Sequence, residues 1–352
     1  MTQAQDRALA KFQADFDKAF GSGRLVRPKV APYEVISTGS LALDLATGVG
    51  GYVEGRITEI YGVDDIGKTS LAILGLVEAQ RKHPQKQTAF LDMEGKFDPS
   101  WAQRHGLDLE RNFLLLPDNA EDVADALKMV VRSGLFSMVV VDSIGAMIPE
   151  AMKTKDADES VVGKQASIVT RMVNIASTEA RKTGVVVLLI NQVRANISNY
   201  GPDMTTGGGF ALKHVTTMKF KMRKTGTAPY VIGSGDDKET VGYEIATLVE
   251  RNKVAVARHT AIFNFMVQAT DRYGPLGVDK AHEATVLGER HGIIERKGGW
   301  YSLPDGERLQ GGDKVADYLR DRPDMVAEIR QQVVQTRANE VKADEITEGD
   351  DA

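Results

Sequence analysis

The chain has 352 residues, of which 42% are hydrophobic and 26% charged, which is the composition of a globular protein with room for one large α/β domain and smaller additions. Its formal net charge of −5 excludes a protein-wide basic field, so contact with nucleic acid would require a local basic surface. The absence of cysteine excludes disulfides and cysteine zinc sites, and the absence of a long apolar run or signal-peptide pattern predicts a cytoplasmic protein with no membrane partner.

The first predicted element is an amphipathic helix over residues 1–20. Leu9, Phe12, Phe16 and Phe20 recur at spacings of three and four, which places them on one apolar stripe. Such a stripe needs a surface to cover it, either the core of the same chain or a neighbouring copy. Residues 1–31 are therefore predicted to be an N-terminal oligomerisation helix followed by a linker.

Predicted strands and helices alternate over residues 32–270, the region predicted to be the main domain. The predicted strands are 56–61, 88–93, 138–142, 185–191, 216–223, 243–249 and 260–267, and the predicted helices are 69–82, 119–133 and 163–182. The runs 138–141 and 185–190 are apolar throughout, which is typical of parallel strands covered on both faces. The pattern predicts an α/β core built on a mostly parallel central sheet.

Two smaller segments follow this domain. Residues 271–334 are predicted to form a small C-terminal α/β domain, because turn residues at 298–301 and 304–306 separate short strands and helices. Residues 335–352 are predicted to be an acidic disordered tail, since residues 340–352 carry six acidic residues against one lysine and almost no large apolar side chains.

The clearest chemical signal lies at residues 62–69, which match the phosphate-loop pattern G-x-x-x-x-G-K-[S/T] between a predicted strand and a predicted helix. Glycines let consecutive backbone N–H groups point at phosphate oxygens, and the helix N-terminus adds partial positive charge. Asp64 and Asp65 are unexpected there, because their carboxylates repel a triphosphate. The predicted nucleotide-binding residues of this stretch are Gly62, Val63, Asp64, Asp65, Ile66, Gly67, Lys68, Thr69 and Ser70.

Carboxylates at predicted strand ends complete the site, because parallel strands direct their carboxyl ends toward the ligand crevice. Asp142 ends an apolar strand and is predicted to hold Mg²⁺ together with Thr69. Glu94 ends another strand and is predicted to orient the water that attacks the γ-phosphate, while Lys68 reaches the β- and γ-phosphates. The predicted ligands are therefore ATP and Mg²⁺.

Three further groups have two interpretations each. Asp98 and Trp101 could hold adenine, or they could be a helix cap and a partly buried tryptophan. Gln192 could hydrogen-bond the γ-phosphate and transmit its loss to the glycine-rich stretch 194–212, or simply end a strand. The cations at 251 and 253 could reach a nucleotide as an arginine finger does, or be ordinary strand-end charges. The strand at 216–223 alternates, which predicts a solvated basic face made of Lys219, Lys221 and Arg223.

Taken together, these stretches resemble the bacterial RecA-type recombinases over roughly residues 5–335. The matching stretches are 35–44, the phosphate loop, 140–143, 190–192, 205–208, 211–213, 252–254 and 299–302. The resemblance implies a RecA-type P-loop ATPase core whose subunits bind ATP between neighbours in a helical homo-oligomeric filament. It further implies a filament that coats single-stranded DNA, pairs it with double-stranded DNA and exchanges strands, with roles in DNA repair and the SOS response through a LexA-type repressor.

The resemblance also implies roles for particular residues. Lys68, Thr69 and Asp142 would serve ATP and Mg²⁺, Glu94 would activate water, Gln192 would sense the γ-phosphate, and Asp98 with Trp101 would hold adenine. Arg251 and Lys253 would be inserted by the neighbouring subunit, and segments 155–163 and 194–210 would be DNA-binding loops. The implied DNA contacts are Val162, Gly163, Lys164, Arg171, Arg194, Asn199, Tyr200, Gly207, Gly208, Gly209 and Phe210.

Several positions depart from the family pattern. Ser167 and Asn174 stand where members usually carry basic residues, Phe210 replaces a small polar residue, and His214 replaces an aromatic one. Lys164 and Arg171 could substitute for the lost charges, and such divergence would suit a phage-encoded member. Two rival functions stay open: a ring helicase or another ATPase on the same core, and an ATP-switched DNA scaffold with negligible turnover.

Overall fold

The computed structural model describes residues 3–22, 24–25, 27, 31–150, 160–195, 204–206 and 209–350. The chain divides into two compact units, Met1–Tyr33 and Glu34–Ala352. None of the helices in the described part of the chain combines the length and apolarity needed to cross a bilayer.

The first unit contains one helix, α1, which spans Gln3–Phe20. Its aromatic side chains line up as predicted: the ring centroids of Phe12 and Phe16 are 6.1 Å apart, and those of Phe16 and Phe20 are 4.7 Å apart. No residue of this helix is buried, and Phe12 and Phe20 are 55% and 56% exposed. The predicted helix and its apolar stripe are confirmed.

The second unit is an α/β structure with helices on both faces of a large sheet. Its strands are β1 (Val35–Ile36), β2 (Tyr52–Val53), β3 (Ile57–Gly62), β4 (Gln87–Asp92), β5 (Asn112–Leu115), β6 (Phe136–Asp142), β7 (Val186–Ala195), β8 (Met204–Thr206), β9 (Met218–Lys224), β10 (Tyr230–Ile232), β11 (Glu239–Asn252), β12 (Thr260–Met266), β13 (Gly277–Val278), β14 (Glu295–Lys297), β15 (Trp300–Ser302) and β16 (Arg308–Gln310). Its helices are α2 (Leu41–Ala46), α3 (Lys68–Lys82), α4 (Pro99–Arg104), α5 (Ala120–Ser133), α6 (Ser160–Thr183), α7 (Gly209–Val215), α8 (Lys280–Arg290), α9 (Gly312–Arg320) and α10 (Pro323–Asp350).

The large sheet has the order β13-β12-β11-β9-β3-β7-β6-β4-β5. Strands from β9 to β5 pair in parallel, whereas β11, β12 and β13 extend the sheet in antiparallel fashion. The register sets Gly62 beside Gln192 and Asp92 beside Asp142. The predicted mostly parallel sheet is confirmed, and its topology brings the carboxyl ends of β3, β4, β6 and β7 to one edge.

Two hydrophobic clusters cover the two faces of this sheet. Alternate residues of β6 divide between them: Met138 and Val140 join the cluster containing α3, while Val139 and Val141 join the cluster containing α5 and α6. Both faces of β6 and β7 are therefore buried, which is why the two strands are apolar throughout.

Strand β9 differs from the predicted solvated face. Lys221 and Arg223 are exposed, but Lys219 is only 6% exposed. Its ammonium lies 3.4 Å from the buried Glu59 carboxylate and 4.4 Å from the centroid of the Tyr61 ring. The neighbouring strand β3 supplies a countercharge and an aromatic face, and the prediction for Lys219 is wrong for that reason.

The C-terminal segment has a hydrophobic cluster of its own. Side chains from α8, α9, α10 and the three-stranded sheet β14-β15-β16 pack together around Ile294, Leu319 and Ile329. The disordered tail predicted from residue 335 onward is not what the structure shows, because α10 continues to Asp350. Good helix formers and pairs such as Arg337–Glu340, 3.1 Å apart, outweigh the acidic composition.

Candidate nucleotide-binding site

The predicted phosphate loop connects β3 to α3 at the edge of the sheet where the parallel strands end. Gly67 precedes α3 with φ of 88°, and Asp65 has φ of 55°, so both lie in the left-handed region. Aspartate tolerates that region better than most side chains, which accounts for its place in this tight turn. A Cβ at Gly62 would lie 2.7 Å from the Met222 carbonyl oxygen, so only glycine fits there.

Lys68 is the first residue of α3 and is 8% exposed. Its Nζ donates to the carbonyl oxygens of Gly62 and Val63 at 3.1 and 2.7 Å, and it lies 4.0 Å from the carboxylate of Asp64. Burial lowers the pKa of Lys68, although Asp64 and the other nearby carboxylates oppose that shift. The loop thus wraps around a buried cation, as a triphosphate site requires.

Thr69 and Asp142 form the predicted metal site. The Thr69 hydroxyl donates to the Asp142 carboxylate at 2.6 Å, which joins the start of α3 to the end of β6. Burial raises the pKa of Asp142 to about 6, and the negative charge of Glu94 adds to that shift while the Thr69 hydrogen bond opposes it. A hydroxyl and a carboxylate at the foot of a phosphate loop are the oxygen donors that Mg²⁺ prefers, so the residues present fit this ion.

Glu94 is held by three donors. Its Oε1 accepts hydrogen bonds from the Ser143 hydroxyl at 2.5 Å and the Gln192 amide at 3.0 Å, and its Oε2 accepts one from Lys96 at 2.6 Å. Burial alone would raise the pKa of Glu94, but the hydrogen bonds and charges of Lys96, Ser143 and Lys68 hold it below its ordinary value. The structure therefore brings Glu94 and Gln192 together as an ionised carboxylate beside an amide.

Asp92 organises the turn that carries Glu94. Its Oδ1 accepts from the backbone N–H groups of Glu94 and Gly95 at 3.0 and 2.9 Å, and its Oδ2 accepts from Phe97 at 2.8 Å. The side chain is 5% exposed, so it serves the loop rather than a ligand. Asp92 fixes the direction in which Glu94 leaves the end of β4.

Asp98 and Trp101 are the predicted adenine contacts, and the structure shows what else they do. Asp98 caps α4 by accepting from the Trp101 N–H at 3.1 Å, and the Trp101 indole N–H donates to the Ser70 hydroxyl at 3.1 Å. Neither residue lines the cavity of about 350 Å³ beside the phosphate loop. The capping interpretation is thus seen directly, while an adenine contact stays a prediction.

Arg251 and Lys253 lie at the end of β11 and just beyond it, outside the residues that line the cavity of their own chain. Their side chains donate to the carbonyl oxygens of Lys213 and His214 in the last turn of α7. Burial lowers the pKa of Lys253, and the nearby charge of Arg251 adds to that shift. An action of Arg251 and Lys253 on the nucleotide of a neighbouring copy stays a prediction.

The predicted DNA-binding residues fall partly outside the described part of the chain. Asn199, Tyr200, Gly207 and Gly208 lie outside it, as do residues 155–159. Val162, Gly163, Arg194, Gly209 and Phe210 lie in helices or strands, but their side chains are not described. Lys164, Ser167, Arg171 and Asn174 are all exposed on α6, at spacings that place them on one face. Lys164 and Arg171 thus share a helix face with Ser167 and Asn174.

Six residues that line the cavity were not predicted from the sequence: Lys96, Lys224, Tyr243, Ile245, Phe265 and Val267. Lys96 contacts Glu94, while Lys224 and Tyr243 form part of the opposite wall, where the Lys224 ammonium lies 3.7 Å from the centroid of the Tyr243 ring. Lys96 could have been noticed, because it follows Glu94 by two residues. Lys224 and Tyr243 carried no such signal, since they lie on β9 and β11, more than a hundred residues further along the chain.

His105 offers a test of the packing beside this site. The side chain is 8% exposed between Trp101 and Phe265, and neither ring nitrogen has a hydrogen-bond partner among the described residues. Burial, and to a lesser degree the charge of Arg104, lowers the pKa of His105 to about 4. The unfolded chain therefore binds a proton that the folded chain excludes between about pH 6.5 and pH 4, so stability falls as the pH falls through that window.

We expect His105→Leu to remove this part of the acid destabilisation. The slope contributed by the group is at most about 1.4 kcal/mol per pH unit, and leucine leaves no polar atom unpaired. Urea midpoints of the unmodified chain and of His105→Leu, each at pH 5 and pH 7.5, measure the effect. Because the two proteins share every other titratable group, the difference between them reports on His105 alone. An identical pH dependence in the two proteins would contradict the prediction.

These features define a class: an α/β P-loop protein in which a phosphate loop follows a central parallel strand and carboxylates from neighbouring strands face it. The family model of the RecA N-terminal domain matches residues 7–270, and that of the RecA C-terminal domain matches residues 285–338. The chain belongs to the RecA family. This membership supports ATP binding, DNA binding and a role in DNA recombination and repair.

Individual relatives agree over nearly the whole chain. Protein RecA of Thioalkalivibrio sulfidiphilus is 34% identical over 339 residues, which cover 95% of this chain and 94% of the relative. Protein RecA of Thermus thermophilus is 34% identical over 345 residues, 97% of each chain. Protein RecA of Caulobacter vibrioides is 35% identical over 333 residues, 94% of this chain and 89% of the relative. The predicted resemblance and the predicted fold class are confirmed.

Proposed function

We propose that the protein is a DNA-dependent ATPase and homologous recombinase, which forms helical filaments on single-stranded DNA, pairs it with homologous duplex and promotes strand exchange. The observation that carries the proposal is the contact of Glu94 with Ser143 and Gln192, next to the Lys68–Thr69–Asp142 phosphate site. It joins a residue suited to activate water with one suited to sense the γ-phosphate. We also propose that the protein acts in the cytoplasm and in the SOS response, with a LexA-type repressor as a further partner.

In this proposal the chain's own residues bind ATP and activate water. The loop N–H groups and Lys68 would hold the β- and γ-phosphates, and Thr69 with Asp142 would hold Mg²⁺. The ion bound there would offset charge on the phosphate oxygens. Glu94 would accept a proton from the attacking water, because its depressed pKa keeps it ionised near neutral pH. Gln192 would hold Glu94 in place and respond when the γ-phosphate leaves.

Self-assembly is supported by exposed apolar surfaces on both units. On α1, Phe12 and Phe20 are more than half exposed, and on or just after β5, Phe113 and Leu116 are 54% and 67% exposed. Strand β5 is also the edge of the large sheet. Exposed apolar groups of this size generally mark interaction sites, so we infer that α1 of one copy covers this edge of the next.

The experiment that tests the function measures ATP hydrolysis with and without single-stranded DNA, and electron microscopy of the same mixtures with a slowly hydrolysed ATP analogue. We expect DNA-stimulated hydrolysis, salt-sensitive DNA binding and open helical filaments, and we expect Lys68→Ala to lose all three ATP-dependent properties. ATP-dependent coating of DNA without stimulated hydrolysis would favour the scaffold. Closed rings that unwind duplex would favour the helicase, and a protein that stays monomeric with both ligands would refute the filament.

The acidic end of α10 is proposed to compete with DNA for basic surfaces. Residues 340–352 carry six acidic residues against one lysine, which would repel or mimic a phosphate backbone. We expect deletion of these residues to strengthen duplex binding and to change its salt dependence. Binding isotherms at two salt concentrations measure both, and unchanged isotherms would remove this role from the segment.

A further inference from the structure

The cavity beside the phosphate loop carries an excess of negative charge before any nucleotide binds. Its carboxylates and its cations come from the loop and from the surrounding strands. The carboxylates are Asp64, Asp65, Glu94 and Asp142, and the cations are Lys68, Lys96 and Lys224. A triphosphate adds further negative charge at the same place, so a cation that can turn toward its last phosphate is needed.

Each of the three lysines has a partner in the cavity. The Lys68 ammonium donates to the carbonyl oxygens of Gly62 and Val63, and the Lys224 ammonium lies over the Tyr243 ring at 3.7 Å. The Lys224 side chain is exposed as well but lies over an aromatic ring, whereas Lys96 is 73% exposed and is held at its tip by the Glu94 carboxylate, 2.6 Å away. An exposed, flexible side chain can reorient at low cost, whereas a buried one cannot.

The acidic groups around Lys96 keep its side chain charged. Its hydrogen bond to Glu94 and the further negative charges of Asp64 and Asp142 raise its pKa, so the ammonium stays charged. The same ammonium donates to Oε2 of Glu94, while Ser143 and Gln192 donate to Oε1. Both oxygens of the carboxylate are therefore held, and Lys96 is the donor with the freedom to leave.

We propose that Lys96 is a positioning residue of the nucleotide site, which anchors Glu94 and makes the site favour a triphosphate over a diphosphate. Its ammonium favours the third phosphate by offsetting the negative charge of Asp64, with which it shares the lining of the cavity. Turning toward that phosphate also releases Oε2 of Glu94 to accept from water. The inference rests on the nucleotide-binding function proposed above. It adds a residue whose positive charge offsets the unusual carboxylates of the phosphate loop.

The test is equilibrium binding of Mg²⁺ with a slowly hydrolysed ATP analogue, and of Mg²⁺ with ADP, to the full chain. We expect Lys96→Ala to weaken binding of the analogue about five- to tenfold and to change ADP binding less than about twofold, since Lys96 contacts Glu94, the residue proposed to act beside the third phosphate. Lys96→Arg keeps the charge and should bind the analogue as the unmodified protein does. Lys297→Ala is the matched control, because Lys297 is 83% exposed and paired with Glu295 on the small sheet.

A second variant tests the link to the loop acids. Asp64→Asn in the Lys96→Ala background should recover most of the lost affinity for the analogue, because it removes the charge that Lys96 offsets. Equal binding of the analogue by the unmodified protein and Lys96→Ala, or an equal loss for the analogue and ADP, would overturn the role of Lys96. If the unmodified protein binds neither ligand, the nucleotide-binding function itself fails, so the two failures are distinguishable.

Discussion

Glu94→Gln should leave nucleotide and DNA binding intact and reduce the turnover number for ATP by about 10²- to 10⁴-fold. Glutamine keeps an oxygen that can accept from Ser143 and the Gln192 amide, and the exposed Lys96 can turn away from the new amide NH2 group, so the local structure survives. A neutral amide cannot take a proton from water. Steady-state hydrolysis with saturating single-stranded DNA measures the loss, and filament formation with ATP measures what is retained.

Glu179→Gln is the matched control for this experiment. Glu179 has nearly the same side-chain exposure as Glu94, 16% against 14%, and is likewise bound to cations, Lys182 and Arg132. It lies on α6, among residues that do not line the cavity. Full turnover in Glu94→Gln would show that another group activates the water, whereas a loss shared with Glu179→Gln would indicate a general effect of removing a paired carboxylate.

Glu283→Ala should destabilise the second unit by about 3–5 kcal/mol, because it leaves a partly buried arginine and several buried donors without a partner. Glu283 lies on α8 and is 3% exposed. Its carboxylate accepts from the Ser40 hydroxyl at 2.5 Å and from the backbone N–H groups of Leu41 and Ala42 at 2.9 and 3.0 Å. Arg330 on α10 donates to the same carboxylate at 2.6 Å.

This contact explains why the effect should be large. A side chain of the C-terminal segment caps the first turn of α2 in the main domain and pairs with a third helix, so one residue joins three elements. Urea denaturation of the full chain, followed by circular dichroism, measures the change. Glu289→Ala on the same helix breaks an exposed pair with Arg296 and should cost no more than about 1 kcal/mol. Similar losses in the two variants would contradict the capping role.

Much of the fold could be predicted because its signals are local. Apolar runs of four and six residues identified β6 and β7 as buried central strands, and spacings of three and four identified α1 and α5. The prediction was wrong for Lys219 and for the end of the chain, where residues distant in sequence or helix propensity changed the outcome. Lys219 is buried because β3 lies beside β9, and no pattern within β9 records that neighbour.

The candidate site shows the same division. The phosphate loop was predictable because consecutive backbone groups build it. The strand-end positions of Asp142 and Glu94 followed from the apolar runs that precede them. The partners of Glu94 were not predictable in that way, since Ser143 is 49 positions away and Gln192 is 98 positions away. Their contact depends on the order of β4, β6 and β7 in the sheet.

The amino-acid sequence by itself determined the α/β class, the apolar strands, the amphipathic first helix and the phosphate loop, because each depends on residues within about ten positions of one another. Only the tertiary structure decided that Glu94 sits between Ser143, Gln192 and Lys96, that Trp101 donates to Ser70 beside the phosphate loop, and that Glu283 joins the C-terminal segment to α2. The physical reason is that these contacts depend on which strands and helices pack side by side, and that choice is made by the burial of whole faces rather than by any short stretch of chain.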